Sequence, residues 1–295
     1  ATLSGASGND VTIDLEVTGT AETSDFTPIP LQILIPAGET TGSVTFSPVD
    51  DSLDELDETV DIAIVAVSGA IELGDQSTTT TILDDDDAPN LSLLTDLASI
   101  DEASGQAVLT VQMSAISELD VSATISLSGT ATAGGVDYTA SNLQVSIPAG
   151  SLTASITIDA VEDLLYEQDE LIVAQVQSAT NAGFDPAAST TVTIVDNDLP
   201  PTVTFVMDVT EIAENGGIAT YTATISEPSG LDVVITPTIT TTADPSDFTL
   251  SATSLVIPAG STTGTLTITG VEDELFEHDE LLTVSPSQIV NATAL

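Results

Sequence analysis

The 295-residue chain contains no lysine and no arginine, whereas aspartate and glutamate together number 47, which gives a formal net charge of −47. Lysine and arginine supply most of the affinity of proteins for nucleic acids, because they displace counterions from phosphate groups. An anionic membrane surface also repels so acidic a chain. The composition therefore excludes nucleic acids and acidic lipids as partners.

Cysteine and tryptophan are also absent, and aromatic residues make up only 3% of the chain. Disulfides and thiolate metal sites are thereby excluded, and the core has to be aliphatic. No run of about 18 apolar residues is present and the N-terminus is neither basic nor apolar, so we expect neither a membrane span nor a signal peptide. Because 41% of the residues are hydrophobic, the chain is too apolar to be a disordered acidic tail and should fold.

One tetrapeptide, Ile-Pro-Ala-Gly, occurs three times, at residues 35–38, 147–150 and 257–260. An acidic string follows each copy at a similar distance, at residues 49–51, 161–163 and 271–273. A fixed spacing near 110 residues is the signature of tandem domains. The predicted domains are 1–87, 88–199 and 200–295.

Apolar and polar residues alternate within each repeat, as in residues 11–17 and 121–127. This period of two predicts half-buried strands, and no helical pattern is present. The fold class is therefore all-β, a tandem of antiparallel β-sandwiches of about 100 residues each. The repeat alignment places Ala1 opposite Val111 and Leu295 opposite Asp185, so the first domain lacks its first strand and the last domain lacks its last strand. Either the natural chain continues in both directions, or a neighbouring molecule supplies these strands.

Carboxylates recur at four points of each complete repeat: after the first strand, in a mid-domain loop, in the acidic string and at the closing segment. Loops at one end of a sandwich converge, and this chain has no cationic side chain to neutralise the acids that would gather there. Calcium fits best, because it takes six to eight oxygen ligands in flexible geometry. Zinc and copper favour imidazole or thiolate, and the chain has one histidine and no cysteine.

The order of these motifs resembles the Calx-beta domain: a Thr-Ala loop leading to Asp-Phe/Tyr, a strand after Pro-Ala-Gly, the string Val-Asp-Asp-x-Leu-x-Glu-x-Asp-Glu, and a closing Ile-Leu-Asp-Asp-Asp. The resemblance covers nearly the whole chain. It implies immunoglobulin-like sandwiches with several calcium ions at the pole that faces the next domain, each ion cluster lying at a domain junction. Glu162, Glu272 and Asn197 depart from the family pattern, which affects the expected number of ions.

The resemblance implies a set of metal ligands in each domain. In the first domain they are Asp25, Asp50, Asp51, Glu55, Glu58, Asp84, Asp85 and Asp86. In the second they are Glu102, Asp137, Glu162, Asp163, Glu167, Glu170, Asp196 and Asp198. In the third they are Glu214, Asp247, Glu272, Asp273, Glu277 and Glu280.

Two other interpretations of the acidity remain open. Acidic loops can be solvated faces or an adaptation to high salt, although the recurrence of these acids at fixed loop positions favours calcium. Paired carboxylates could also serve a glycosidase, but three copies of one cluster without an aromatic platform argue against it. His278 is the only imidazole and is expected to be a surface residue, so we predict that the protein is not an enzyme.

Calcium at the junctions would convert a flexible string of domains into a stiff rod. Modules that bind calcium at roughly 0.1–1 mM belong outside the cell, where the ion is abundant. We therefore predict a calcium-stiffened segment of an extracellular adhesin, filament or sheath component. Its expected partners are further copies of the domain, in the same or neighbouring chains, with self-assembly into filaments. The alternatives are a calcium-sensing regulatory module and an accessory carbohydrate-binding module of an enzyme.

Overall fold

The computed structural model describes residues 1–273 and 278–295, and within these ranges the chain forms strands and no helix. Strands form because Val, Ile and Thr dominate the alternating segments and place every second side chain on the buried face. Within the same ranges no helix is available to cross a membrane. The expectation of an all-β chain is confirmed.

The first domain contributes a single four-stranded antiparallel sheet in the order β2-β1-β3-β4. Its strands are β1 (Val11–Gly19), β2 (Gln32–Ile35), β3 (Glu58–Ser68) and β4 (Ser77–Ile82). The segment facing this sheet joins the rest of the domain through isolated bridges, Thr2 with Thr41 and Phe26 with Pro48. Val11 and Ile35 lie fully buried in the core between the two layers.

The middle domain is a two-layer sandwich of two five-stranded sheets, β10-β8-β12-β14-β6 and β13-β5-β7-β11-β9. Its strands are β5 (Asn90–Thr95), β6 (Ser99–Asp101), β7 (Gln106–Met113), β8 (Val121–Gly129), β9 (Tyr138–Ala140), β10 (Gln144–Ile147), β11 (Thr153–Ala160), β12 (Glu170–Thr180), β13 (Gly183–Phe184) and β14 (Ser189–Val195). Leu109 and Ile158 from one sheet share a core with Ile125 and Ile172 from the other, and each is at most 2% exposed. The core is aliphatic, as the composition predicts.

The third domain repeats this plan with a five-stranded sheet, β18-β20-β16-β15-β22, and a three-stranded sheet, β19-β17-β21. Its strands are β15 (Thr202–Met207), β16 (Ile218–Ile225), β17 (Val233–Thr241), β18 (Phe248–Leu250), β19 (Leu255–Ile257), β20 (Thr263–Gly270), β21 (Leu282–Val290) and β22 (Thr293–Ala294). Among the described residues, no strand of this domain pairs with β21 in the way that β14 pairs with β12. Incomplete outer sandwiches are thus found where the repeat alignment predicts them.

The Ile-Pro-Ala-Gly motif forms a turn with a structural role. In the middle domain the Asp120 carboxylate accepts a hydrogen bond from the Ala149 N–H at 2.9 Å. The equivalent bonds in the outer domains are Asp10 with Ala37 at 2.9 Å and Asp232 with Ala259 at 2.8 Å. The motif glycine has a φ of 91°, 74° and 75° in the three copies, a left-handed conformation that favours glycine. The motif therefore recurs because it builds a turn.

Candidate metal centre

Two strands of the middle domain end side by side and bring acids to the same place. Strands β6 and β14 pair in parallel with Asp101 opposite Val195, and the Glu102 N–H donates to the Val195 carbonyl at 3.1 Å. Because parallel strands end at the same edge, Glu102 lies next to Asp196 and Asp198. One carboxylate oxygen of each of these three acids lies within 4.8 Å of the other two. We call Glu102, Asp196 and Asp198 the linker cluster, since two of them belong to the segment leading to the third domain.

The linker cluster is buried without a neutralising partner. Glu102 is only 7% exposed, and its burial, together with the negative charge of Asp163, raises the pKa of its carboxyl from 4.5 to about 7. Burial also raises the pKa of Asp196 and of Asp198. Among the described residues, the Asp198 Oδ2 atom is buried without a hydrogen-bond partner. An orphan carboxylate oxygen in a chain that has no lysine or arginine fits a bound cation.

A second cluster lies beside the start of β12 and consists of Asp137, Glu167 and Glu170. One oxygen of each again lies within 4.8 Å of the other two. Burial and a hydrogen bond between the side chains of Glu170 and Asp137 raise the pKa of the Glu170 carboxyl to about 7. Burial and the charge of Asp163 raise the pKa of Glu167. Asp163 therefore faces both clusters of the middle domain.

The first domain contains the same arrangement 112 residues earlier, formed by Asp25, Glu55 and Glu58. Burial is the first cause that raises the pKa of Glu55 and of Glu58 to about 7, and neighbouring carboxylates add to it. We call these two groups, Asp25 with Glu55 and Glu58, and Asp137 with Glu167 and Glu170, the loop clusters. They show that the repeat places the same three oxygens together in successive domains.

All eight ligands expected in the first domain line one cavity of about 40 Å³. Besides the loop cluster, these are Asp50, Asp51, Asp84, Asp85 and Asp86. The Asp51 carboxylate is oriented by the Leu53 N–H, which donates to it at 2.8 Å. The structure therefore brings the acidic string and the linker acids of this domain to its loop cluster.

The two departures from the family pattern in the middle domain contact each other. The Asn197 side-chain amide donates to the Glu162 carboxylate at 2.9 Å. Asp163 accepts from the Leu165 N–H at 2.6 Å, which repeats the Asp51–Leu53 bond of the first domain. Glu162 thus has a neutral hydrogen-bond donor as its partner, while Asp163 stays beside the linker cluster.

The third domain retains part of the same site. The charge of Asp247 and a hydrogen bond from its side chain help to raise the pKa of the Glu280 carboxyl, after desolvation as the first cause. Glu214 also lies close enough to contribute to this shift. Glu272 and Asp273 follow β20 and belong to none of the three clusters found in the described ranges. Glu277, also expected as a ligand, lies outside the described residues.

Sequence comparison between the repeats misses two acids that reach the clusters from the following domain. Glu118 raises the pKa of both Glu55 and Glu58, and Glu227 adds to the rise at Asp198. Neither acid recurs: Gly230 occupies the position equivalent to Glu118, 112 residues on. No repeat signal could have identified them, because each junction brings a different acid from its second domain.

The chemistry of these sites is limited by their donors. Every ligand atom is a carboxylate oxygen, so the clusters suit a hard cation that tolerates irregular geometry. Magnesium demands near-ideal octahedral geometry and retains its water, which makes calcium the better match. The acids of the linker cluster and the loop clusters would hold the ion, and their mutual repulsion would be relieved by its charge.

A family comparison agrees with this chemistry. The Calx-beta domain model matches residues 4–86, 84–198 and 196–293, so the chain belongs to the Calx-beta family and contains three tandem copies. Calx-beta domains are calcium-binding modules that serve as regulatory or structural units. The resemblance drawn from the motifs is confirmed.

Solved structures similar to this chain include the CBD12 calcium-binding domains of CALX1.1, with 19% identity, a TM-score of 0.33 and coverage of 62% of this chain and 76% of that one. CBD12 of CALX1.2 matches with 18% identity, a TM-score of 0.32 and coverage of 58% and 72%. The apo form of the Calx CBD1 domain matches with 17% identity, a TM-score of 0.32 and coverage of 38% and 100%. A comparison with curated proteins finds no match.

Proposed function

We propose that this chain is a non-catalytic, calcium-stiffened segment of a long extracellular repeat protein such as an adhesin, a filament or a sheath component. Its domains span 1–87, 88–199 and 200–295, and calcium binds where one domain meets the next. The linker cluster is the observation that carries the proposal. It joins Glu102 of the domain body to Asp196 and Asp198 of the linker, so an ion held there would fix the linker to the domain.

The charge of the chain supports the same function. With 47 acidic side chains and no lysine or arginine, a compact array repels itself unless cations bind. Loss of calcium would therefore loosen both the clusters and the linkers between domains. The partners of the segment are further copies of the same domain, in the same chain or in neighbouring ones that assemble into filaments.

Thermal unfolding tests the proposal directly. Calcium that binds only the folded state stabilises it by mass action, by about 2.7 kcal/mol at 100 times the dissociation constant. We expect the melting temperature to rise by many degrees between EGTA and calcium, and magnesium to reproduce little of that rise. Equal melting in EGTA and in calcium contradicts the proposal.

The calcium affinity separates the structural function from a calcium sensor. Sensors bind at about 0.1–10 μM, whereas extracellular modules bind at about 0.1–1 mM. Calorimetric titration of the three-domain chain should give dissociation constants in the millimolar to submillimolar range. Micromolar or tighter binding at every site would favour the regulatory alternative instead.

A further inference from the structure

Three of the four buried polar side chains in the described ranges lie where one domain meets the next. Ser117 and Ser229 are each 1% exposed and Asp54 is 9% exposed, while the fourth, Glu102, belongs to the linker cluster. A hydroxyl group buried without a hydrogen bond costs free energy. The groups to which these serines bond therefore indicate their role.

At the first junction, Ser117 holds the acidic loop of the preceding domain. Its hydroxyl lies 3.1 Å from the Asp54 carbonyl and 2.7 Å from the Asp54 carboxylate, and donates to these oxygens. The Glu118 N–H also donates to the Asp54 carbonyl, at 3.1 Å. Two donors of the second domain thus converge on one backbone carbonyl of the first.

The second junction repeats this contact with different side chains. The Ser229 hydroxyl and the Gly230 N–H both donate to the Tyr166 carbonyl, each at 3.1 Å. Both junctions also contain an isolated parallel bridge, between Asp54 and Ser117 and between Tyr166 and Ser229. Because aspartate and tyrosine share no side-chain chemistry, the feature that the serine recognises at both junctions is the backbone carbonyl.

The Ile-Pro-Ala-Gly turn holds the serine in place. Gly150 donates its N–H to the Ser117 carbonyl at 3.0 Å, and Gly260 does the same to Ser229 at 2.8 Å. The Leu119 N–H donates to the Ser117 hydroxyl oxygen at 3.0 Å, which leaves the hydroxyl proton directed to the preceding domain. The repeated motif therefore presents a preformed docking group.

The first domain carries the same group without a docked loop. Gly38 donates to the Ser7 carbonyl at 2.8 Å and the Asn9 N–H donates to the Ser7 hydroxyl oxygen at 3.1 Å. Ser7 is only half-buried, whereas Ser117 and Ser229 are fully buried. Contact with the preceding domain, and not the turn itself, thus accounts for the burial of the two junction serines.

We propose that Ser117 and Ser229 are interdomain positioning residues: each fixes the backbone of the preceding domain one residue before a loop-cluster glutamate, Glu55 or Glu167, and so couples the angle between domains to calcium binding. The coupling to calcium rests on the proposed function, whereas the docking contact does not. The same surface around Ser7 would receive the acidic loop of a further domain of this kind.

Distance measurements between domains test the proposal in the full chain. The chain has no cysteine, so spin labels can be attached through Thr80→Cys with Ser155→Cys across the first junction, and Ser155→Cys with Thr265→Cys across the second. All three positions are exposed on strands. We expect Ser117→Ala to broaden the distance distribution only across the first junction, and Ser229→Ala only across the second.

Calcium titration by calorimetry provides the second readout. Groups that orient metal ligands change metal affinity by about 10–100-fold when they are removed. We expect each serine variant to weaken calcium binding about 10-fold at the loop cluster of the preceding domain. The matched controls are Ser141→Ala and Ser251→Ala, whose hydroxyls accept an N–H within their own domains and should alter neither readout.

The two hypotheses fail in different ways. Serine variants that keep the distance distributions of the unmodified chain, with and without calcium, overturn the docking role. Broadening without any change in calcium affinity overturns the coupling. If the unmodified chain binds no calcium in the calorimeter, the proposed function fails, and the distributions in EGTA still decide the docking role.

Discussion

Glu102 places a carboxyl group where neither water nor a cationic side chain neutralises it. It is 7% exposed and faces Asp163, Asp196, Glu162 and Asp198, so its pKa is raised to about 7. Without metal the group is partly protonated near neutral pH. Bound calcium would reverse this preference, because an ion two charges strong favours the ionised form.

Glu102→Gln should therefore have opposite effects with and without calcium. In EGTA at pH 8 the change removes a buried charge and should stabilise the chain, by on the order of 2 kcal/mol. With calcium present it removes a ligand, so the affinity of the linker cluster should fall about 10-fold or more. Thermal melting and calorimetry measure the two effects, with the exposed Glu211→Gln as the control. A variant that loses stability in EGTA would contradict the metal-binding role of this residue.

Gly230 makes room for a candidate ligand across the second junction. A Cβ atom at this position would lie 2.2 Å from the Glu167 Oε1 atom and 2.6 Å from its Cγ atom. Gly230→Ala should thus displace Glu167 from Asp137 and Glu170 while the domains stay folded. We expect calcium binding at this loop cluster to weaken about 10-fold, as measured by calorimetry.

Gly8→Ala is the matched control for this variant, because a Cβ at Gly8 meets nothing within 4 Å. It should leave calcium binding unchanged. Equal affinities for Gly230→Ala and the unmodified chain would show that Glu167 contributes little to calcium binding.

At the level of strands, a glycine near each of the first two loop clusters allows two strands to approach closely. Gly129 ends β8 with a φ of 133°, and a Cβ there would lie 1.9 Å from the Leu171 carbonyl oxygen. Gly19 has the same environment beside Thr59, at 2.0 Å. Because Leu171 follows Glu170, this approach fixes the start of the strand that carries a candidate ligand.

Gly129→Ala should destabilise the middle domain by on the order of 3 kcal/mol, since a methyl group cannot fit against a backbone oxygen. Gly134→Ala isolates the cost of a positive φ: its φ is 87° and a Cβ meets nothing within 4 Å, so about 1 kcal/mol is expected. Hydrogen exchange of the β8 and β12 amides, compared with those of β17 and β21, measures the local effect. Equal costs for the two variants would refute the steric argument.

The strands were predictable because their pattern of alternation repeats three times and has a direct physical cause. The convergence of Glu102 with Asp196 was predictable only as a gathering of loops, since it depends on the parallel pairing of β6 with β14. A three-residue strand such as Ser99–Asp101 leaves no distinctive pattern in the sequence. The ligand types thus follow from composition and spacing, whereas the grouping into separate clusters requires the topology.

For the whole chain, the raised pKa values give the metal-free protein an unusual pH dependence. Glu55, Glu58, Glu102 and Glu170 have their pKa raised from 4.5 to about 7 in the folded state. Between these values the folded chain binds more protons than the unfolded chain, so the free energy of unfolding falls as the pH rises. This stabilising contribution is fully present below about pH 4.5 and is lost as the pH passes 7.

We therefore expect the melting temperature of metal-free protein to fall by roughly 5 °C or more between pH 5 and pH 8. In saturating calcium it should rise over the same interval, because protons and calcium compete for the same oxygens. Melting curves at both conditions across this range measure the difference. A metal-free protein that becomes more stable toward pH 8 would contradict the burial of these carboxyls.

The junctions are the part of the molecule that the sequence alone conceals. Ser117 and Ser229 are two among many serines and threonines, and their partners, Asp54 and Tyr166, share no side-chain type. A contact made through a backbone carbonyl leaves no residue preference at the accepting position. Only the constant distance from the Ile-Pro-Ala-Gly turn marks the donor, and that distance acquires meaning once the turn is seen to hold the serine.

The junction contact is also unlike on its two sides, with a hydroxyl on one domain and a carbonyl on the other. Such a pairing is heterologous, so two copies of the chain cannot satisfy each other by twofold symmetry. Each domain offers the donor at one end and the acceptor at the other. Any assembly formed through this contact is consequently polar and open-ended, and it lengthens one domain at a time in a single direction.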